Sequence, residues 1–452
     1  MNTVKNFERF NSLLAIGLAT TILWMTANES HSQVTVTVDA TQIRNIGGVS
    51  ELERSRFFNY HGTLVPPSNT NLGNLQDQLI SPDFFHATAG RTSTEFDQFI
   101  TNGLGEDGAN PGFLNPNQLV NKLQVDYRNF LVSGTRWRPL RDVPEPFLIN
   151  SGRSANFWPT FFRTDPNTNI TSPYYPYLFA YVDFLTTYLE EVVYGPNAFL
   201  PIDPDRMVIE LLNEPELHLD SNFTNQDLID YHSLIALIVK GSYPEVKVIG
   251  PSLAITSFHA NNFARWESTL KPFIEGAGAN LDGYSYHPYE RYSGRANGTF
   301  EQDIMESPGR VQATIDLIEN YNLNFHGELK PLALTEYGSF NRWDVEIDGE
   351  PFIGSYSRDL QQWDLCRNIK EKMLVFMEYP HIIMNATPFV SPRDFRPNIP
   401  TNAFADNVMF EQDSAGDWHE TIIGNFFRLL LKIRVIAIIG DVITIDLRQQ
   451  AK

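Results

Sequence analysis

Val-Ile-Glu-Leu-Leu-Asn-Glu-Pro-Glu, residues 208–216, is an apolar and partly β-branched run that stops abruptly at Asn-Glu-Pro. A run of this kind, ended by a proline, is typical of a buried strand. The carboxylate of Glu214 then lies at the carboxyl end of the strand, where parallel α/β folds place their chemistry. The stretch therefore indicates a fold class and a candidate acid together.

A second segment has the same pattern. Pro-Leu-Ala-Leu-Thr-Glu-Tyr-Gly, residues 331–338, is again apolar, reaches a glutamate at Glu336 and breaks at Gly338. The two glutamates are 122 residues apart (336 minus 214), which leaves room for further strands and helices between them. We expect the two carboxylates to face each other across a cleft.

Around these two segments, apolar runs alternate with stretches of helical spacing. We predict strands at residues 43–50, 84–90, 146–152, 208–216, 246–251, 281–287, 331–338 and 381–386. Helices are predicted at residues 117–132, 175–194, 225–240, 263–273, 308–321, 357–376 and 420–433. Eight strands alternating with helices predict an α/β fold, the (β/α)8 TIM barrel.

The two ends of the chain differ from this pattern. Lys5 and Arg9 precede an apolar run at 13–27 and small polar residues, so residues 1–32 are predicted to be a signal peptide. An uncleaved membrane anchor is the alternative, but the apolar run is short for one. We expect a secreted, cell-surface or periplasmic protein with a catalytic barrel at 33–434. The tail, residues 435–452, is β-rich and is either the start of a truncated C-terminal β-sandwich or simply a short end of the chain.

Composition excludes several classes of function. A formal net charge of −20 argues against a nucleic acid partner, which needs a basic surface. A single cysteine, Cys366, excludes an intramolecular disulfide and a cysteine metal site. Since there is no His-Glu-x-x-His motif either, we expect no cofactor and no catalytic metal. A structural calcium ion in the oxygen-rich segment 101–110 is left open.

The two strand-end glutamates match one chemistry well. Cleavage of a glycosidic bond with retention needs a carboxylic acid and a carboxylate about 5 Å apart. Asn-Glu-Pro alone is a weak signal, but its position on a strand and the second segment around Glu336 make the combination specific.

The same segments resemble a known group of enzymes. Leu-Asn-Glu-Pro on the fourth strand and a glutamate on the seventh resemble the retaining glycoside hydrolases of clan A. Gly-Val-Ser-Glu-Leu-Glu-Arg-Ser-Arg-Phe-Phe-Asn-Tyr-His-Gly-Thr at 48–63 and Ser-Tyr-His-Pro-Tyr at 285–289 look like glycoside hydrolase family 86, the β-agarases and β-porphyranases. The likeness covers roughly residues 40–430. It implies that Glu214 is the general acid/base and Glu336 the nucleophile. It also implies a red-algal galactan substrate, with the β-1,4 linkages of agarose as the first choice.

Further residues are expected around the glutamates. We expect Arg91, with Tyr286 or Tyr289, to donate hydrogen bonds that keep Glu336 ionised. Asn213 is placed to bind the substrate hydroxyl next to the reacting carbon.

Three more side chains are substrate-binding candidates with a structural alternative. His287 and Tyr289 resemble the His-x-Tyr that clan A barrels carry after the sixth strand, although His287 alone also fits a structural histidine. Trp158 and Trp343 lie in predicted loops and are candidates for stacking on sugar rings, with plain packing an equal alternative. Glu210 and Glu216 are not expected to be catalytic.

Two other functions remain open. The chain is a β-porphyranase if arginines such as Arg136, Arg138 or Arg153 accommodate a sulfate ester. It is an inert carbohydrate-binding barrel if the glutamates do not act on the substrate.

Overall fold

The computed structural model describes residues 35–39, 45–62, 87–92, 95–133, 147–153, 158–200, 202–219, 223–254, 256–292, 304–339, 346–347, 350–351, 358–393, 407–413, 415, 417–432 and 442–446. The predicted signal peptide, residues 1–32, lies outside these ranges. In the described part, no helix combines the length and the apolar character needed to cross a bilayer.

Eight parallel strands form the central sheet. They are β1 (Asn59–His61), β2 (Thr88–Thr92), β3 (Leu148–Arg153), β4 (Met207–Asn213), β5 (Lys247–Leu253), β6 (Gly283–Tyr286), β7 (Leu332–Ser339) and β8 (Ile383–Pro388). Each strand pairs in parallel with the next one along the chain. His61 N donates to Val390 O at 3.0 Å, so the residue that ends β1 meets the segment after β8 and the sheet nearly closes. The sheet is a (β/α)8 barrel, and the predicted fold is confirmed.

Helices cover the outside of the barrel. They are α1 (Pro116–Asn121), α2 (Leu178–Tyr188), α3 (Asn225–Ser242), α4 (Lys271–Ala277), α5 (Pro308–His326), α6 (Arg358–Met377) and α7 (Ile422–Lys432). Wider π-type turns continue α1 over Lys122–Tyr127 and Asn129–Ser133, continue α2 over Leu189–Tyr194, and precede α4 over Trp266–Leu270. Single turns occur at Arg54–Phe57, Glu95–Ile100, Phe161–Arg163, Pro204–Arg206, Pro215–His218 and Ala260–Arg265.

Short strands decorate the loops. Tyr289–Tyr292 pairs in parallel with the end of β7 and antiparallel with Ile304–Met305. Further small sheets join Thr164–Asp165 with Ile170–Thr171, Glu346–Ile347 with Glu350–Pro351, and Ser391–Arg393 with Val408–Gln412 and Trp418–Glu420. The barrel belongs to one compact unit, Asn45–Arg434. A second unit combines the two ends of the chain, where Thr35–Asp39 pairs antiparallel with Val442–Asp446.

The barrel interior changes from apolar to polar along the strands. An apolar layer fills the lower part of the barrel and contains Phe147, Ile149, Val208, Ile249, Ala333 and Met384. Two residues further along three of these strands, on the same face, lie the buried polar residues Ser151, Glu210 and Thr335. The carboxyl end of the barrel therefore has a polar floor.

Two strand predictions need correction. The segment 43–50 is not the first barrel strand. Ile46 and Val49 bridge each other across a tight turn in which Gly47 and Gly48 have positive φ, and β1 begins only at Asn59. The second strand lies four residues later than predicted at its start. Arg91 is therefore inside β2, fully buried, and not beyond its end.

Candidate active site

Arg91 is the centre of the polar floor. It is fully buried, and its guanidinium donates to Glu210 Oε2 from Nε at 2.9 Å and from Nη2 at 2.6 Å. Nη1 donates to Oε1 of Glu336, and Nη2 donates to Asn213 Oδ1 at 2.6 Å. One cation on β2 therefore contacts side chains from β4 and β7, and its rigid fork fixes their relative positions.

Glu336 lies near the end of β7 with little exposure to solvent. Tyr289 Oη donates to its Oε2 at 2.8 Å, while His61 Nε2 lies 3.4 Å from Oε1. Burial by itself raises the pKa of Glu336, but the charges of His287 and Arg91 and the contact with His61 outweigh burial and hold the pKa well below its ordinary value of 4.5. Glu336 is a carboxylate that stays ionised, as a nucleophile requires.

Glu214 has a different environment. It follows β4 directly, in a left-handed backbone conformation with φ 52°, and its N–H donates to Ser252 O at 3.0 Å. Its side chain is 26% exposed, whereas that of Glu336 is 10% exposed. Tyr175 Oη donates to Pro215 O at 2.7 Å and supports the turn that carries Glu214. Glu214 is therefore the more accessible of the two carboxyl groups.

His287 connects Glu214 to the floor. Its Nδ1 lies 2.8 Å from Glu214 Oε1, and its Nε2 lies 3.0 Å from the hydroxyls of both Ser252 and Thr335. Thr335 donates its only hydroxyl proton to Glu210 Oε1 at 2.8 Å, so its oxygen can only accept from His287. His287 Nε2 therefore carries a proton, and Nδ1 is the nitrogen that faces Glu214.

The charges in the floor compensate one another. Burial raises the pKa of Glu210, but the Arg91 and His287 charges reverse this effect and lower it. Burial lowers the pKa of His287, but the charge of Glu336 and the hydrogen bond with Glu214 raise it above the ordinary value. A buried positive charge shared between Arg91 and His287 thus balances the carboxylates.

One oxygen or nitrogen atom from each of Glu214, His287 and Glu336 lies within 4.8 Å of the other two. Such a cluster has metal-ligand composition, but Arg91 and Tyr289 already donate to the two oxygens of Glu336. A carboxylate whose two oxygens already accept hydrogen bonds needs no metal ion to balance its charge. The separation of the two glutamates is close to the roughly 5 Å of retaining glycosidases.

Two of the candidate substrate-binding side chains are not where the sequence suggested. Tyr286 is fully buried on the outer face of β6, where its ring packs edge-on against Phe258, and it makes no contact with Glu336. Trp158 is 1% exposed, and its Nε1 donates to Arg153 O at 2.7 Å, so packing is its role and no face is open to a sugar. Trp343 lies outside the described residues, as do Arg136 and Arg138.

Sequence reasoning missed part of the site. Ser252 and Thr335 contact His287, yet each is a single common residue near the end of a strand. His61, which lies in the segment 48–63 quoted above, contacts Glu336. Glu210 was not expected to be catalytic, and its contact with Arg91 was not predicted, although it lies on β4 four residues before Glu214. Its alternation with Val208 was the available signal, because an inward Val208 makes Glu210 inward as well.

Comparisons with known proteins find relatives in sequence and in structure. A scan against models of protein families finds no match. Funoran endo-β-hydrolase from Wenyingzhuangia aestuarii is 26% identical over 381 residues, which are 81% of this chain and 48% of that protein. β-Agarase from Pseudoalteromonas atlantica is 25% identical over 382 residues, 80% of this chain and 69% of that protein. This chain therefore spans about half the length of the first relative and just over two thirds of the second.

Solved structures share the fold. BuGH86 in complex with neoagarooctaose superposes with a TM-score of 0.69 at 22% identity, covering 88% of this chain and 64% of that one. BpGH86A, a β-porphyranase of glycoside hydrolase family 86 from the human gut bacterium Bacteroides plebeius, gives a TM-score of 0.56 at 20% identity, covering 86% and 59%. The chain is therefore similar in sequence to a funoran endo-β-hydrolase and a β-agarase, and it shares its barrel fold with a β-porphyranase of glycoside hydrolase family 86.

Proposed function

We propose that this protein is a secreted retaining endo-glycoside hydrolase that cleaves β-1,4-galactosidic linkages in a red-algal galactan, with agarose as the first choice of substrate. The observation that supports the proposal most is the pair Glu214 and Glu336, which have atoms within 4.8 Å of each other but unlike surroundings. The names of the relatives, a β-agarase and a funoran hydrolase, support the substrate class.

The proposed reaction has two steps. In the first, Glu336 attacks the anomeric carbon while Glu214 donates a proton to the leaving oxygen, which forms a covalent glycosyl-enzyme. In the second, Glu214 removes a proton from water, and the water displaces Glu336 with the original configuration restored. Asn213, oriented by Arg91, is the proposed contact for the sugar hydroxyl beside the reacting carbon.

His287 has a defined part in this cycle. Glu214 must be protonated for the first step and ionised for the second. Because His287 Nε2 is held by Thr335 and Ser252, the ring presents Nδ1 to Glu214 throughout. His287 stabilises either protonation state of the acid by taking or returning one proton.

A sulfated galactan is the second candidate substrate. Arg153 ends β3 and is paired in register with Asn213, so it lies at the same end of the barrel as the site. A basic side chain there is suited to a sulfate ester. This placement is the observation that supports the β-porphyranase alternative as the second candidate, whereas it does not support an inert binding barrel.

The test is digestion of agarose and of porphyran by the wild-type chain and by Glu214→Gln and Glu336→Gln. Reducing ends and oligosaccharide masses are measured, with the exposed Glu328→Gln as a matched control. We expect wild type and control to cleave agarose, and both active-site variants to lose at least about 10³-fold in kcat. Cleavage of porphyran alone moves the same mechanism to the sulfated substrate. Binding without cleavage by the folded wild type would identify an inert carbohydrate-binding barrel.

A further inference from the structure

Helix α6 buries polar side chains that the proposed reaction does not use. Asp364, Asn368 and Lys372 are at most 7% exposed, and Arg367 is half-buried beside them. Buried charges are costly unless they are paired or hydrogen-bonded. A helix that could cover β7 with apolar residues alone instead turns a polar stripe towards the barrel.

Lys372 contacts both segments that carry the active-site groups. Its Nζ donates to the carbonyl of Pro288, the residue between His287 and Tyr289. It also donates to Gly338 O at 3.0 Å, two residues after Glu336. A single buried ammonium group thus links the backbone of the segment that carries Tyr289 to the backbone of the segment that carries Glu336.

The other polar residues of α6 reinforce these two ties. Asn368 Nδ2 donates to Glu290 Oε2 at 2.6 Å, and Arg367 Nη2 donates to Glu290 Oε1 at 2.5 Å, next to Tyr289 in the chain. Ser339 Oγ donates to Asp364 Oδ2 at 2.5 Å, immediately after Gly338. Helix α6 therefore holds the first segment at Pro288 and Glu290 and the second at Gly338 and Ser339.

These hydrogen bonds from α6 lie where the pairing between two strands is short. The segment Tyr289–Tyr292 pairs with β7 at only two positions, Tyr289 with Gly338 and Glu290 with Ser339. Helix α6 contacts three of these four residues directly, Glu290, Gly338 and Ser339, and it contacts Pro288 next to the fourth, Tyr289. Because hydrogen-bond donors must be placed in advance to act on a reacting group, a loose pairing here would lengthen the contact between Tyr289 and Glu336.

Burial of Lys372 is unfavourable in itself. Burial lowers its pKa to about 7, although the charges of Glu290 and Glu306 oppose this shift. Lys372 is nonetheless fully buried, and its ammonium group donates to the carbonyls of Pro288 and Gly338.

We propose that Lys372 is a positioning residue, which fixes the segment of Tyr289 against the segment of Glu336 and so sets the hydrogen bond on the nucleophile. This inference rests on the proposed role of Glu336 as nucleophile.

The test compares Lys372→Met with Lys370→Met, the same substitution at an exposed position of the same helix. We expect Lys372→Met to lower kcat roughly 10- to 100-fold with KM nearly unchanged, since it displaces a reacting group without touching the substrate. Lys370→Met should match wild type. Unchanged kcat in a folded Lys372→Met chain would overturn the proposal.

A crystal structure of Lys372→Met gives a readout that needs no turnover. The predicted result is a Tyr289 Oη to Glu336 Oε2 separation beyond hydrogen-bond distance, against 2.8 Å in the unaltered chain. An unchanged separation overturns the proposal, whether or not the wild-type chain cleaves a galactan. Lack of cleavage by the wild-type chain would disprove the proposed function and leave this structural readout valid. Should Lys372→Met fail to fold, Asn368→Ala removes one tie only, and the same two readouts apply with smaller changes expected.

Discussion

Arg91 shows how one residue determines the character of the site. Its guanidinium satisfies Glu210, Glu336 and Asn213 at once, from a position without any contact with solvent. Glu210 and Glu336 can both be ionised although they are buried, because the charges of Arg91 and His287 compensate theirs. The different environments of Glu214 and Glu336 follow from this, since only Glu336 receives a charge-assisted bond from the arginine.

The hydroxyl of Tyr289 is predicted to contribute directly to the nucleophile's ionisation. Tyr289→Phe removes the 2.8 Å bond to Glu336 and should lower kcat by roughly 10²-fold, by analogy with loss of one preorganised donor. Tyr286→Phe is the matched control, because the Tyr286 hydroxyl is buried without a hydrogen-bond partner among the described residues. Equal losses in the two variants would favour the contact first expected for Tyr286.

Acid sensitivity of the fold is predicted to depend on Glu336. Its pKa in the folded chain is well below 4.5, so below that pH the unfolded chain binds the proton more readily. The stabilisation by the carboxylate is therefore complete above the unfolded pKa and is lost as the pH falls towards the folded pKa. The Glu336→Gln variant has no carboxyl group to protonate at this position. Its melting temperature should therefore fall less than that of wild type between about pH 7 and about pH 3. Calorimetric curves that stay parallel for the two chains would contradict this.

At the scale of elements, the sequence was informative where a strand is buried on both faces and ends on a strong breaker. β4 and β7 were located from their apolar runs, and α5 from Ser307-Pro308, which does open that helix. β1 was misplaced because it has three residues, too few for a periodic pattern, while the Gly-Gly turn before it imitates a strand end. Local sequence likewise cannot distinguish a buried Trp158 from an exposed one.

The network of the site was harder to foresee than its two glutamates. Arg91 and Glu210 are 119 residues apart in the chain, and their bond exists only once the barrel has formed. Strand-end position can be inferred from local pattern, but the choice of partner is a property of the tertiary fold.

Helix α3 supplies a prediction about stability alone. Thr224 and Asp227 form a reciprocal capping box at its start, with Asp227 Oδ2 accepting from Thr224 N at 2.8 Å. Thr224→Ala should lower the free energy of unfolding by about 1 kcal/mol, measured by urea unfolding, with kcat unaltered. Gln226→Ala, an exposed change in the same turn, should have less than half that effect. A loss of activity at full stability in Thr224→Ala would disagree with a purely structural cap.

At the scale of the whole molecule, the net charge of −20 determines the long-range electrostatic interaction between the chain and a polysaccharide substrate. A sulfated galactan is repelled over distances that salt screens, whereas agarose carries no charge to repel. Raising ionic strength from about 0.02 M to about 0.2 M should increase kcat/KM on porphyran several-fold and leave that on agarose unchanged. A salt-induced fall on porphyran would instead indicate a local basic binding surface, for which Arg153 is the described candidate.

The central claim is the two-glutamate retaining mechanism, and the anomeric configuration of the first product tests it most directly. Proton NMR at early times, before mutarotation, reports whether a newly released reducing end is β or α. Carboxyl groups as close as Glu214 and Glu336 leave no room for a water molecule opposite the leaving group. The account predicts that the β-anomer appears first. First appearance of the α-anomer would show inversion and contradict the assignment of Glu336 as nucleophile.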